Sequence, residues 1–232
     1  MSSTLPDTRL ANVPALSHRS RPWVRPVATA LTSVGAVVVF LIFSGQVFGA
    51  EVPYMDAAGR EWAAAHRSPV ADRFFRAVTA LAATRVMLTI CLIAALALWV
   101  RGARRAAVPV ALAVALAPLT TSRIKPLFAR LRPGYLDDGG RSFSFPSGHT
   151  TIATAVALTV AYVMMRERVA PRLAPVIAVL FVIAVGASRV YLAEHWATDV
   201  VGGVAIGTAV AAACATVYEI ARLRAKDRPP DA

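Results

Sequence analysis

Three short stretches of the chain combine cationic, hydroxyl and imidazole groups at spacings that could do chemistry. The first is Lys125-Pro126-Leu127-Phe128-Ala129-Arg130-Leu131-Arg132-Pro133, the second is Phe145-Pro146-Ser147-Gly148-His149-Thr150, and the third runs from Ser188 and Arg189 to His195 and Asp199. Lys125, Arg132 and Arg189 are three cations. Arginine offers a planar fork matched to phosphate oxygens, and lysine a mobile point charge. Three such groups at an apolar boundary repel one another and lose hydration unless an anion sits among them. Snorkelling at helix ends accounts for one or two of them, but less well for three arranged with Ser and His.

Ser147, Gly148 and His149 read as the opening of a helix, where free N–H groups and a partial positive charge favour an anion. Gly148 lets that anion approach the backbone closely. Ser147 can cap the helix or donate to a phosphate. The plainer alternative is a Pro-Ser helix start with an incidental histidine. His195 and Asp199 stand four apart and share a helix face. An aspartate accepting from one imidazole N–H fixes the tautomer and leaves the other nitrogen free as a nucleophile. A purely structural His–Asp pair has the same spacing. Arg189 and His195 lie six residues apart, about 240° around one helix. Both can face one ligand only if the helix breaks within 190–194, although no Gly or Pro marks the break. Pro126 disfavours helical geometry at Lys125, so the preceding helix is expected to end near there.

The elements that must position these groups are membrane spans. Of 232 residues, 57% are hydrophobic and only 16% charged, where a soluble domain would carry about 25% charged residues. Mean hydropathy is +0.58. These values exclude an ordinary soluble domain and a disordered chain. Apolar runs long enough to cross a bilayer extend over 27–50, 78–100, 106–124, 150–165, 173–187 and 200–220. The expected fold is therefore all-α, a six-transmembrane helical bundle. Its expected divisions are a polar tail (1–26), the bundle (27–221) and a second tail (222–232) that frays. Cys91 and Cys214 both lie in apolar runs and read as buried small hydrophobes.

Net charge is +12. With the N-terminus inside, fourteen of the 25 basic residues fall on inner segments. Six of the outer ones, Arg123, Lys125, Arg130, Arg132, Arg141 and Arg189, crowd into two short stretches. That bias follows the positive-inside rule. It implies a multi-pass protein of the cell membrane, both termini cytoplasmic, with all three motifs at the outer face. Charges distributed in this way mark topology, not a nucleic-acid face, so no nucleic-acid partner is expected. The segment 51–76 mixes Asp56, Glu61, Asp72 and Arg73 with Trp62, Phe74 and Phe75. It reads as an amphipathic helix on the outer interface, its aromatics at headgroup level and without chemistry of its own.

Together the clusters resemble the three-part signature of the type 2 phosphatidic acid phosphatases, the PAP2 or lipid phosphate phosphatase family. Lys125, Arg132 and Pro133 match Lys-x6-Arg-Pro; Pro146 to His149 match Pro-Ser-Gly-His; Ser188, Arg189, His195 and Asp199 match Ser-Arg-x5-His-x3-Asp. The resemblance implies that His195 attacks phosphorus to form a phosphohistidine, that Asp199 orients it, and that His149 protonates the leaving oxygen. It implies that Lys125, Arg132, Ser147, Gly148 and Arg189 hold the phosphate. It also implies catalysis without a metal or other cofactor. Glu194, outside the signature, is expected to face water.

The implied substrate is a lipid phosphate or diphosphate: undecaprenyl diphosphate, phosphatidylglycerol phosphate, phosphatidic acid or diacylglycerol diphosphate. Membrane lipids are the other expected partner, and oligomeric state is not legible. A phosphotransferase using the same site, a vanadate-dependent haloperoxidase and a non-catalytic anionic-lipid transporter are the alternatives. Six spans argue against the haloperoxidase, whose family is soluble.

Overall fold

The computed structural model describes residues 22–49, 52–133 and 143–226. The outer parts of both polar tails, Glu51 and Arg141 lie outside the described residues. Eight helices follow in order: α1 (Val24–Val47), α2 (Tyr54–Ala65), α3 (Pro69–Leu81), α4 (Thr84–Val100), α5 (Arg104–Phe128), α6 (Gly148–Arg166), α7 (Leu173–Tyr191) and α8 (Ala197–Lys226). There is no strand among the described residues. Five helices, α1 and α5 to α8, are long and apolar enough to cross a membrane, and a sixth span results if the bent pair α3–α4 counts as one. The chain is a multi-pass membrane protein built as an all-helical bundle.

The longest helix, α8, is the hub, packed against α1, α5 and α6. Small residues allow the closest of these approaches. A Cβ on Gly203 would stand 2.8 Å from the Ser147 carbonyl oxygen, and one on Gly207 would stand 2.7 Å from that of Thr151. The first turns of α6 therefore lie directly on α8. Large apolar side chains on the outer faces of α1, α4 and α7, such as Leu31, Ile42, Leu96, Ile177 and Ile183, remain exposed. In water such a belt would be unfavourable, at about 25 cal/mol per Å² of apolar surface. In a bilayer it is the face presented to acyl chains.

The segment expected as one amphipathic helix is two. Ser68 caps α3, its Oγ accepting from the Ala71 N–H at 3.2 Å, and Pro69 occupies the first helical position. Ser-Pro is a strong helix start, and it ends any continuation of α2. From there α3 runs into α4 with a 46° bend, so the helix expected to begin near Val78 begins in two pieces. Two of the segment's aromatics also make contacts inside the protein. Phe75 packs against Tyr191 with ring centroids 4.3 Å apart, and Trp62 meets the same ring at 6.1 Å. Phe74 stays exposed.

Pro126 does not stop α5 at Lys125. The helix continues to Phe128 and ends where Ala129 turns left-handed, with φ of 45°. Proline removes one N–H, but the rest of the last turn closes around it, with the Ala129 N–H donating to the Lys125 carbonyl at 3.1 Å.

Candidate active site

The break expected within 190–194 is present. Helix α7 ends at Tyr191, and Ala193 takes a left-handed φ of 54° without being glycine. The N–H groups of Glu194 and His195 both donate to the Arg189 carbonyl, at 3.1 and 3.2 Å. This closure turns the chain back on the helix it has just left and brings His195 to the side of Arg189 that a continuous helix would deny it.

His195 Nδ1 lies 3.2 Å from Asp199 Oδ2, and both side chains are almost wholly buried. An ionised aspartate only accepts, so Nδ1 carries the proton and Nε2 keeps its lone pair. Nε2 in turn is 3.3 Å from Arg132 Nη1. Burial, aided by the charges of Arg132 and Lys125, pushes His195 down to about 3 against the opposing pull of Asp199. The imidazole is therefore neutral near neutral pH, as a nucleophile must be.

Asp199 has further donors. The Trp196 N–H reaches Oδ2 at 2.9 Å, and Arg130 Nη1 reaches Oδ1 at 2.7 Å. Arg130 extends onward, from Nη1 to Thr198 Oγ1 at 2.6 Å and from Nη2 to Asp56 Oδ2 at 2.5 Å. Asp56 also accepts from the Thr198 N–H at 2.8 Å and from its hydroxyl at 2.9 Å. One buried network thus joins α2, the chain after α5, and the first turn of α8. The segment expected to hold no chemistry supplies a carboxylate to it. A signal was available: Asp56 shares its helical face with the small residues Gly59 and Ala63, which permit close approach. At Gly59 an added Cβ would meet Val190 and Ala197, at 3.2 and 3.4 Å. Arg130 had no such signal, falling in the unspecified interval between Lys125 and Arg132.

The three expected phosphate-binding cations converge. Lys125 Nζ donates to the Phe143 carbonyl at 2.5 Å. Arg132 Nη1 donates to the Glu194 carbonyl at 2.8 Å, and Arg189 Nη1 to Thr79 Oγ1 at 2.5 Å. Glu194 does not simply face water. Its Oε2 bridges Arg132 Nη1 at 3.3 Å and Arg189 Nη2 at 3.4 Å. Two adjacent guanidinium groups outweigh the hydration that a carboxylate with a side chain 34% exposed can recover.

The first turn of α6 completes the arrangement. The Ser147 N–H donates to the Asp199 carbonyl at 3.0 Å, fastening α6 to the start of α8. The Ser147 side chain makes no cap to the backbone; its Oγ accepts from the Thr150 hydroxyl at 3.0 Å. Beside Gly148 the space is open, with nothing within 4 Å of where a Cβ would stand. His149 lies within the field of Arg189, Arg132 and Lys125. All eight residues singled out in the sequence thus gather at one end of the bundle. Next to them a cavity of about 780 Å³, bordered by Asp56, Arg60, Arg67, Pro133, His195 and Trp196, opens between α2 and the α7–α8 turn. Among the described residues no group of three or more His, Cys, Asp or Glu is placed to hold a metal ion.

Residues 106–222 match the family model of the PAP2 superfamily. The chain belongs to that superfamily. A PAP2 relative, phosphatidylglycerophosphatase B of Bacillus subtilis (strain 168), is 27% identical over 179 residues, which cover 75% of this chain and 88% of the relative. Lipid A 4'-phosphatase of Porphyromonas gingivalis is 31% identical over 117 residues, 46% of this chain and 48% of that protein. The crystal structure of a transmembrane PAP2-type phosphatidylglycerolphosphate phosphatase from Bacillus subtilis superposes with a TM-score of 0.70 at 25% identity, covering 86% of this chain and 98% of that one. Aquifex aeolicus LpxE shares the fold, with a TM-score of 0.57 at 23% identity over 71% of this chain and 97% of its own. The protein is a PAP2-type membrane lipid phosphatase, a hydrolase.

Proposed function

We propose that this PAP2 protein removes a phosphate from a membrane lipid phosphate or diphosphate through a phosphohistidine on His195. The observation that carries this is the alignment of His195 between Asp199 on Nδ1 and Arg132 beside Nε2. Nε2 attacks phosphorus while the bond to the lipid or lipid-phosphate oxygen breaks, and His149 gives that oxygen its proton. Positive charge growing on the imidazole is met by Asp199, which Arg130 holds in place. Charge on the equatorial oxygens is met by Lys125, Arg132, Arg189, the Ser147 hydroxyl and the Gly148 N–H, as stabilisation by fixed dipoles and charges requires. Water activated by His149 then attacks the phosphohistidine, releasing inorganic phosphate and restoring Nε2.

Phosphatidylglycerol phosphate leads the substrate list because the relative aligned over most of its length is named for it. Undecaprenyl diphosphate, phosphatidic acid and diacylglycerol diphosphate follow. The working unit on this reading is 27–221, both termini cytoplasmic and the site at the outer face; the supporting observation is the bias of basic residues towards inner segments. The test is inorganic phosphate release by the detergent-purified chain with EDTA present, comparing wild type with His195→Ala on the four lipids. Metal-independent release that vanishes in the variant is the expected result. Undiminished release from His195→Ala would overturn the phosphohistidine mechanism.

A further inference from the structure

Glu194 is outside the family signature, yet its carboxylate sits where a phosphate belongs. One oxygen, Oε2, bridges Arg132 Nη1 and Arg189 Nη2, at 3.3 and 3.4 Å. The same Arg132 nitrogen is 3.3 Å from His195 Nε2. A phosphoryl group poised for attack by Nε2 must take its oxygens to these same two guanidinium groups. The turn that presents His195 also presents Glu194. Its N–H is held by the Arg189 carbonyl, and its own carbonyl is held by Arg132 at 2.8 Å. The backbone of Glu194 is therefore fixed from both sides, while its side chain keeps a third of its surface open. A carboxylate so tethered can swing out to water without moving the arginines.

We propose that Glu194 is a built-in competitor for the phosphate cradle. This rests on the phosphatase reading of the site. Between turnovers its carboxylate neutralises Arg132 and Arg189 and keeps their forks turned towards each other. An arriving phosphate displaces it, because two anions sharing one arginine pair repel. After hydrolysis the carboxylate returns and helps expel inorganic phosphate, which would otherwise bind tightly among three cations. Glu194 is thus a positioning residue that weakens ground-state anion binding and hastens product release.

The probe is orthovanadate, titrated calorimetrically into the full-length chain in detergent, for wild type, Glu194→Gln and Glu194→Ala. Glutamine keeps the shape and removes the charge; alanine serves if glutamine perturbs folding, which thermal melting checks. Loss of two partly buried ion pairs predicts vanadate binding about threefold to tenfold tighter in both variants. Product inhibition by inorganic phosphate should strengthen by the same factor, with KM for the lipid falling and kcat not rising. Unchanged or weaker vanadate binding by folded variants overturns the proposal and leaves the phosphatase reading standing. If folded wild type binds no vanadate at all, the phosphate cradle itself is refuted, and this proposal with it.

Discussion

Arg130 and Asp199 meet at 2.7 Å through the one aspartate oxygen that His195 does not use. Oδ2 serves the imidazole and the Trp196 N–H, while Oδ1 serves the guanidinium. The aspartate is thereby fixed in rotation as well as in position. Arg130 is balanced in turn by Asp56, whose side chain is fully buried.

Breaking this chain of charges should be costly. Arg130→Met leaves the buried carboxylates of Asp56 and Asp199 without the cation they share, and removing one partner of a buried pair costs about 3–5 kcal/mol. We expect a large fall in thermal stability in detergent. Adding Asp56→Asn should recover part of that stability, since it removes one of the two stranded charges. Phosphate release should remain at least about 100-fold reduced in the double variant, because Asp199 Oδ1 has lost the guanidinium that fixes its rotation.

His195 and Asp199 separate by the size of their effects. His195→Gln should abolish steady-state phosphate release and any acid-labile phosphoenzyme trapped by rapid quench from labelled lipid. Asp199→Asn keeps the shape but loses the obligatory acceptor, so the imidazole can present the wrong nitrogen. A kcat lower by about 10³ to 10⁴ with KM little changed is expected, by analogy with hydrolytic triads. Equal losses in kcat and in lipid affinity would point to collapse of the site.

The depressed pKa of His195 has a signed consequence for stability. In the unfolded chain the imidazole titrates near its ordinary 6.5, and in the folded protein near 3. Between those values the unfolded state binds the extra proton, so stability rises with pH. Acidification from pH 7 towards pH 4 should therefore lower Tm in part through this residue. His195→Gln should flatten the slope in that window; an unaltered slope would mean that other groups carry it.

Close packing of α6 on α8 can be probed at Gly203. Its missing Cβ would stand 2.8 Å from the Ser147 carbonyl oxygen and 3.1 Å from Thr150 Cβ. Gly203→Ala must push the first turn of α6 away, at a cost of about 1–3 kcal/mol. Because that turn carries Ser147, Gly148 and His149, kcat should fall more than stability alone explains. Phosphate release measured well below the variant's Tm checks this.

Much of the fold is legible in the sequence because a bilayer imposes length and apolarity on each span. The α7–α8 break was legible for a geometric reason: Arg189 and His195 could not face one ligand on a continuous helix. Ala193 supplies the left-handed residue there, a choice that composition does not announce. Asp56 and Glu194 escaped for a shared reason. Charge in a sequence suggests solvent by default, and only tertiary contact with Arg130 or with Arg132 and Arg189 reverses that. Pro126 misled in the opposite sense, since one missing N–H in a last helical turn is tolerated when the following residue closes it.

The exposed apolar belt on α1, α4 and α7 has a kinetic meaning as well as a structural one. A protein held in the bilayer by that belt meets its lipid only by lateral diffusion in the plane. The variable that sets its rate is then the mole fraction of substrate in the surface, not the amount per volume of solution. Diluting the substrate with an inert lipid should slow turnover even when the total quantity of substrate is constant, and adding more vesicles of the same composition should not speed it per enzyme.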